Sequence, residues 1–180
     1  WIPTTRALSI VSSWEVVFRE TVRPGWILSR VASSHIRFGN FDYFFQNWDM
    51  KWLKILADYT INRHYSHIEK QENKYELFFQ KVMDKQIDLV ANWMRIGFIH
   101  GVMNTDNMLI CGETIDYGPC AFMDDYNKNT VFSSIDQNGR YSFMNQKYAL
   151  EWNLARFWES LVPLLWGSIE KSVKIIENNL

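Results

Sequence analysis

Residues 100–120, HGVMNTDNMLICGETIDYGPC, gather one His, two Asn, two Asp and three Gly around two short apolar runs. Met108-Leu109-Ile110 and Thr114-Ile115-Asp116 read as short strands, with Cys111-Gly112-Glu113 as the tight turn between them. The resulting hairpin, 99–118, carries Asn107 just ahead of one strand and Asp116 at the end of the next, nine residues on. An amide and a carboxylate would then converge on one cation. Mg²⁺ takes oxygen ligands and keeps few protein groups, leaving the remainder to water and substrate phosphates. Gly118 is expected to give the backbone after Asp116 a conformation that other residues resist. Asn and Asp flank ordinary turns too, so either residue alone carries little; the interval between them carries the argument.

Outward from this stretch the apolar pattern becomes helical. Phe41, Phe44, Phe45, Trp48, Trp52, Ile55, Leu56 and Tyr59 recur at three- and four-residue intervals and predict a helix over 41–65. A second helix is expected over 75–95, stopped by Gly97, and a third over 149–165, kinked or ended by Pro163. Residues 168–180 read as a terminal amphipathic helix opened by Ser168. The first thirty residues read as short strands. Ser12-Ser13-Trp14 is a hairpin turn in this reading, Pro24-Gly25 another, and Ser33 and Ser34 are helix-capping candidates. The expected class is α+β, mainly α with a few short strands, in a single unit: strands over 1–30, a helical lobe over 41–165, and the terminal helix.

Composition narrows the function. Hydrophobic residues make up 47% of the 180, with nine Trp, eight Tyr and twelve Phe, which is ample for a core and excludes a disordered tail. The aromatics at helical spacing are expected inside. Nineteen basic residues balance twenty acidic ones, so no net field attracts nucleic acid or an acidic membrane. No apolar run is long enough to span a bilayer. Two cysteines, Cys111 and Cys120, are too few for a disulfide framework and fit a reducing compartment. The opening WIPTTRAL has neither an initiator Met nor the regions of a signal peptide, which points to a start inside a longer protein.

His-Gly, five residues, Asn, then Asp-aromatic-Gly is the spacing of a kinase catalytic loop followed by its metal-binding triplet. Protein kinases read His-Arg-Asp there, and that Asp takes the proton of the acceptor hydroxyl. Here the positions are His100, Gly101 and Val102, and valine accepts no proton. Either the chain is a dead kinase or the base has moved, and the nearest alternative carboxylate is Asp106.

HGVMNTDNM and TIDYGP, with PTTRAL, RVASSHIRFG and NLAR, resemble the selenoprotein O (YdiU) family from Ile2 to about Glu159. The resemblance implies a protein-kinase-like C-terminal lobe and protein AMPylation, the transfer of AMP from ATP to Ser, Thr or Tyr hydroxyls of proteins, with the nucleotide bound in an inverted pose. It implies Asp106 as general base, Asn107 and Asp116 as Mg²⁺ ligands (Mn²⁺ as a substitute), Asp116 also near the phosphates, and Arg30 and Arg37 as phosphate-binding groups. A guanidinium fork matches phosphate oxygens, which suits those two arginines. The family's glycine-rich loop, nucleotide-binding Lys and partner Glu are not found in this chain, so it matches the central part of such an enzyme and is expected to be inactive alone. Bacterial cytoplasm is the implied location, mitochondria for a eukaryotic source.

The competing readings are a nucleotide-binding pseudokinase without turnover, favoured by Val102, and a small-molecule phosphotransferase, which would read His-Gly-Asp. His64 and His67 are expected at a surface helix end and His100 in a structural role. Asp124-Asp125-Tyr126 is expected in a solvated loop.

Overall fold

The computed structural model describes residues 1–18 and 21–165. Four helices and two small antiparallel ladders follow the order β1 (Arg6–Phe18), β2 (Val22–Val31), α1 (Phe38–Gln46), α2 (Met50–His64), α3 (Lys74–Arg95), β3 (Phe98–Ile99), β4 (Ala121–Phe122) and α4 (Gln146–Leu165). This is the α+β arrangement expected. The terminal helix read over 168–180 lies outside the described residues.

β1 and β2 pair antiparallel along their length, and both predicted turns lie inside these strands instead of reversing the chain. Ser12-Ser13-Trp14 is a bulge: the register shifts between Ser12 and Val16, and Trp14 takes φ 61°. The hydroxyls of Ser12 and Ser13 accept from the backbone N–H groups of Trp14 and Glu15, giving the chain a local substitute for ladder bonds. Pro24-Gly25 lies within β2 opposite this bulge, where a Cβ on residue 25 would collide with the Ser13 hydroxyl. Proline is tolerated there because the ladder is already interrupted.

Ser33 and Ser34 do not cap a helix. The first helix starts at Phe38 with Arg37 as its cap, where Arg37 N–H donates to Asn40 Oδ1 and Asn40 N–H to Arg37 O. Ser34 Oγ instead accepts from Ile36 N–H, and Ser33 bonds the carboxylate of Glu113.

The helix expected over 41–65 is two helices. Trp48 adopts φ 55°, and Asp49 caps α2 by accepting from Trp52 N–H. α3 covers the expected 75–95 segment, and Gly97 follows it at φ 70°. α4 begins three residues earlier than expected and continues past Pro163 to Leu165.

α1, α3 and α4 pack around an aromatic centre. Phe38 stacks on Phe157 at 4.5 Å between centroids, and Phe41 and Phe78 meet the same ring edge-on at 5.1 and 5.6 Å. All four are fully buried. Edge-to-face contacts at these spacings add to the area each ring removes from water. The expectation that the tryptophans sit inside fails for most of them: Trp93 is buried, whereas Trp1, Trp14, Trp26, Trp48, Trp52 and Trp152 are exposed. Trp14 and Trp26 stand on the β1–β2 hairpin, which no other described element covers.

Candidate functional site

The loop between β3 and β4 contains the quoted stretch, and its two apolar runs do not pair with each other. The ladder that closes the loop is further out, Phe98 opposite Phe122 and Ile99 opposite Ala121. The run at 108–110 bonds instead to the segment entering α1: Phe38 N–H donates to Met108 O and Ile110 N–H to Ile36 O. The run at 114–116 bonds to the chain start, Thr5 N–H to Thr114 O and Thr114 N–H to Pro3 O. The predicted hairpin over 99–118 is therefore a wide loop stitched to two distant segments. Met108, Leu109 and Ile110 are buried, so their backbone groups need partners, and local spacing gives no sign of partners so far away in sequence.

Buried side chains hold the rest of that backbone. Gln146 donates to Phe98 O and accepts from His100 N–H, each at 3.0 Å. Asn153 donates to Met103 O at 2.9 Å, Gln86 to Leu109 O at 2.6 Å, and the Tyr65 hydroxyl to Ile110 O at 2.6 Å. Gln86, Gln146 and Asn153 are fully buried. Burial pushes the Tyr65 phenol up, so it stays a donor.

His100 serves the loop in the structural role expected. Its Nε2 donates to Ile115 O at 2.7 Å and its Nδ1 accepts from Val102 N–H at 3.3 Å, a pair of bonds that only the neutral ring can make. Burial lowers its pKa, against the opposing pull of the Ile115 carbonyl and Asp116. Trp93 lies beside the ring at 5.2 Å and donates its indole N–H to Thr114 Oγ1.

On this frame Asn107 and Asp116 meet. Asn104 caps a single tight turn, Thr105–Asn107, by accepting from Asp106 N–H. Asn107 Nδ2 donates to Val102 O and to Asp116 Oδ2, both at 2.9 Å. Both amide protons are spent, so Oδ1 is the atom left to accept a cation. Asp116 itself takes the left-handed conformation, φ 63°, that was expected around Gly118. Gly118 N–H donates back to Asp116 Oδ1 at 3.3 Å, the local bond that lets an Asp tolerate such a backbone. Among the described residues no three His, Cys, Asp or Glu side chains form a metal cluster. One amide oxygen and one carboxylate nevertheless match the sparse protein ligation typical of Mg²⁺ beside phosphates.

The other predicted residues lie on three segments: Asp106 in the same loop, Arg37 at the start of α1 and Arg30 on β2. Asp106 is exposed, one residue from Asn107, with its carboxylate against Gly39 in the first turn of α1. Arg37 stands at the cap of that helix and bridges to Leu109 through its backbone. Arg30, on β2, lays its guanidinium over the Tyr117 ring at 4.6 Å from the centroid. Neither arginine forms a salt bridge with any described residue. Gly39, Tyr117, Gln146 and Asn153 were not singled out from sequence. For Gln146 and Asn153 the available signal was an amide on the apolar face of a helix.

His64 ends α2 and His67 follows in an exposed turn. Asp124, Asp125 and Tyr126 are exposed, and Cys111 and Cys120 are free. No helix among the described residues is long and apolar enough to cross a membrane.

An amide and a carboxylate joined at 2.9 Å, with a second carboxylate one residue away in the chain, are groups able to hold a divalent cation. A model of the family described as protein adenylyltransferase SelO matches residues 1–179. The chain is 58% identical over 179 residues to the protein nucleotidyltransferase YdiU of Bacillus cytotoxicus, covering 99% of this chain and 36% of that protein. It is 56% identical to the YdiU of Bacillus cereus and 58% identical to that of Clostridium beijerinckii, again over 99% of this chain and 37% and 36% of those proteins. The chain belongs to the SelO family of nucleotidyltransferases, and it spans little more than a third of the length of these relatives.

Proposed function

We propose that a full-length protein carrying this chain transfers AMP from ATP to Ser, Thr or Tyr hydroxyls of other proteins, and that residues 41–165 act as a kinase-like C-terminal lobe. The observation that carries this reading is the 2.9 Å bond joining Asn107 Nδ2 to Asp116 Oδ2 in a loop held by buried amides. Those two residues would hold Mg²⁺, with Mn²⁺ able to substitute. The cation would offset charge on the transferring phosphate. Asp106 takes the proton of the acceptor hydroxyl, whose oxygen bonds to the α-phosphorus as pyrophosphate leaves. Arg30 and Arg37 bind phosphate oxygens with charge-assisted donors. Residues 1–30 would join a further lobe that completes the nucleotide clamp, so the 180-residue chain alone is inactive in this reading, and bacterial cytoplasm is the compartment we propose.

Asp116→Ala in the full-length protein tests this with ATP labelled separately at the α and γ positions. The wild type should place α label on protein and the variant almost none. Undiminished α transfer by the variant removes Asp116 from the mechanism. Val102, in the place where kinases keep their base, supports a second reading, a nucleotide-binding pseudokinase; binding of ATP with transfer of neither label would establish it.

A further inference from the structure

Tyr117 stands between two functional elements that are far apart in sequence. It directly follows Asp116, and its ring carries the guanidinium of Arg30 from β2 at 4.6 Å. Its hydroxyl donates to Thr114 O at 3.0 Å and meets Thr4 Oγ1 at the chain start. The residues flanking Thr4 are themselves bonded to Thr114, through Pro3 O and Thr5 N–H. The ring is therefore fixed at its polar tip by the loop and the chain start, and its face is what Arg30 rests on. Tyr117 is half-buried, as is Arg30.

This cation–π contact has a chemical consequence. A cation–π contact holds the guanidinium without using a hydrogen-bond acceptor, which leaves its planar fork of N–H donors for an anion. No described carboxylate takes those donors in a salt bridge, although Asp116 is the next residue along from the ring. A cation so held, on the ring that follows an exposed carboxylate in sequence, suits an anion that arrives with its own divalent cation. A nucleoside polyphosphate is that class of ligand.

We propose that Tyr117 is the positioning residue for Arg30, holding its guanidinium plane so that the N–H edge meets a phosphate of the nucleotide bound at Asn107 and Asp116. This rests on the nucleotidyl-transfer reading above and adds to it a residue that touches neither metal nor phosphate. It also ties the β1–β2 hairpin to the loop through one aromatic ring.

The experiment uses the full-length protein and measures the Kd of a non-hydrolysable ATP analogue with Mg²⁺. Tyr117→Leu, which removes the aromatic face, should weaken binding about tenfold, the size expected for a partly desolvated cation–π contact. Tyr117→Phe should recover most of that loss, since it restores the face. Arg30→Lys should lose a similar amount, because an ammonium keeps the charge and not the planar fork. Tyr117→Leu combined with Arg30→Ala should bind no more weakly than Arg30→Ala alone, a non-additivity that mere loosening of the fold would not produce. Wild-type affinity in Tyr117→Leu, wild-type affinity in Arg30→Lys, or additive losses in the double variant would each overturn the proposal. Arg30→Lys leaves Tyr117 intact, so the outcome does not depend on whether the leucine variant folds. If Asp116→Ala transfers normally, the underlying reading fails; if Asp116→Ala is dead while Tyr117→Leu binds normally, only the role of Tyr117 fails.

Discussion

Asp106 Oδ1 occupies the space where residue 39 would place a Cβ, and residue 39 is glycine. The carboxylate thus rests against the first turn of α1, next to backbone N–H groups that favour negative charge. Gly39→Ala should leave the fold intact, because the colliding atom is the far end of an exposed side chain and alanine is the better helix former by about 1 kcal/mol. The carboxylate must swing away. Transfer activity of the full-length protein should fall tenfold or more, about 1.4 kcal/mol in the barrier, with the melting temperature unchanged or slightly raised. Equal activity in Gly39→Ala would mean that the seat of Asp106 does not matter to the reaction.

His100 predicts an acid limb of stability. Burial holds its folded pKa below the ordinary 6.5, so between those two values the unfolded chain binds a proton that the folded chain refuses. Stability from this group is fully present above about pH 6.5 and is lost as pH falls through the folded pKa, at up to about 1.4 kcal/mol per pH unit. Protonation also ends the Val102 N–H bond to Nδ1. Urea unfolding at a series of pH values from 7.5 to about 4.5, compared with His100→Gln, isolates the contribution. Identical pH slopes for the two proteins would contradict it.

What the sequence could reveal tracks the range of the interactions involved. α3 was legible because its period and its terminal glycine are local signals, and the Asn107–Asp116 pair because the interval between them is short. The break between α1 and α2 also had a local sign, Asp49 three residues before Trp52, but an unbroken apolar period over the same residues concealed it. The false hairpin at 99–118 shows the opposite limit. Its strand-like runs are satisfied by Ile36, Phe38, Pro3 and Thr5, and nothing within ten residues of Leu109 encodes that choice. The bulge at Trp14 is hidden from local signals for a related reason: Ser-Ser-Trp reverses a chain or kinks a strand equally well, and the opposing Pro24-Gly25 decides which.

Phe157 should be the most costly single truncation in the aromatic centre. It is fully buried and in ring contact with Phe38, Phe41, Phe78 and Phe79. Phe157→Ala is expected to cost about 3–5 kcal/mol, and Phe157→Leu clearly less. Denaturant unfolding measures both. A loss under about 1.5 kcal/mol for the alanine variant would show that the helices close over the gap.

Asn153 separates the stability of the loop from its chemistry. Its Nδ2 donates to Met103 O at 2.9 Å, four residues ahead of Asn107, from a fully buried position on α4. Asn153→Ala leaves the Met103 carbonyl buried without a donor, a loss of about 1–3 kcal/mol. Asn153→Asp places acceptors against that carbonyl and should cost more, since a carboxylate there is buried opposite an oxygen with no donor between them. Asn153 hydrogen-bonds to neither Asn107 nor Asp116, so its effect on activity must come through the loop backbone. The expected signature in the full-length protein is faster amide hydrogen exchange from 100 to 108 with a matching fall in transfer rate. Unchanged exchange in a variant that has lost activity would place Asn153 in the chemistry instead of in the support beneath it.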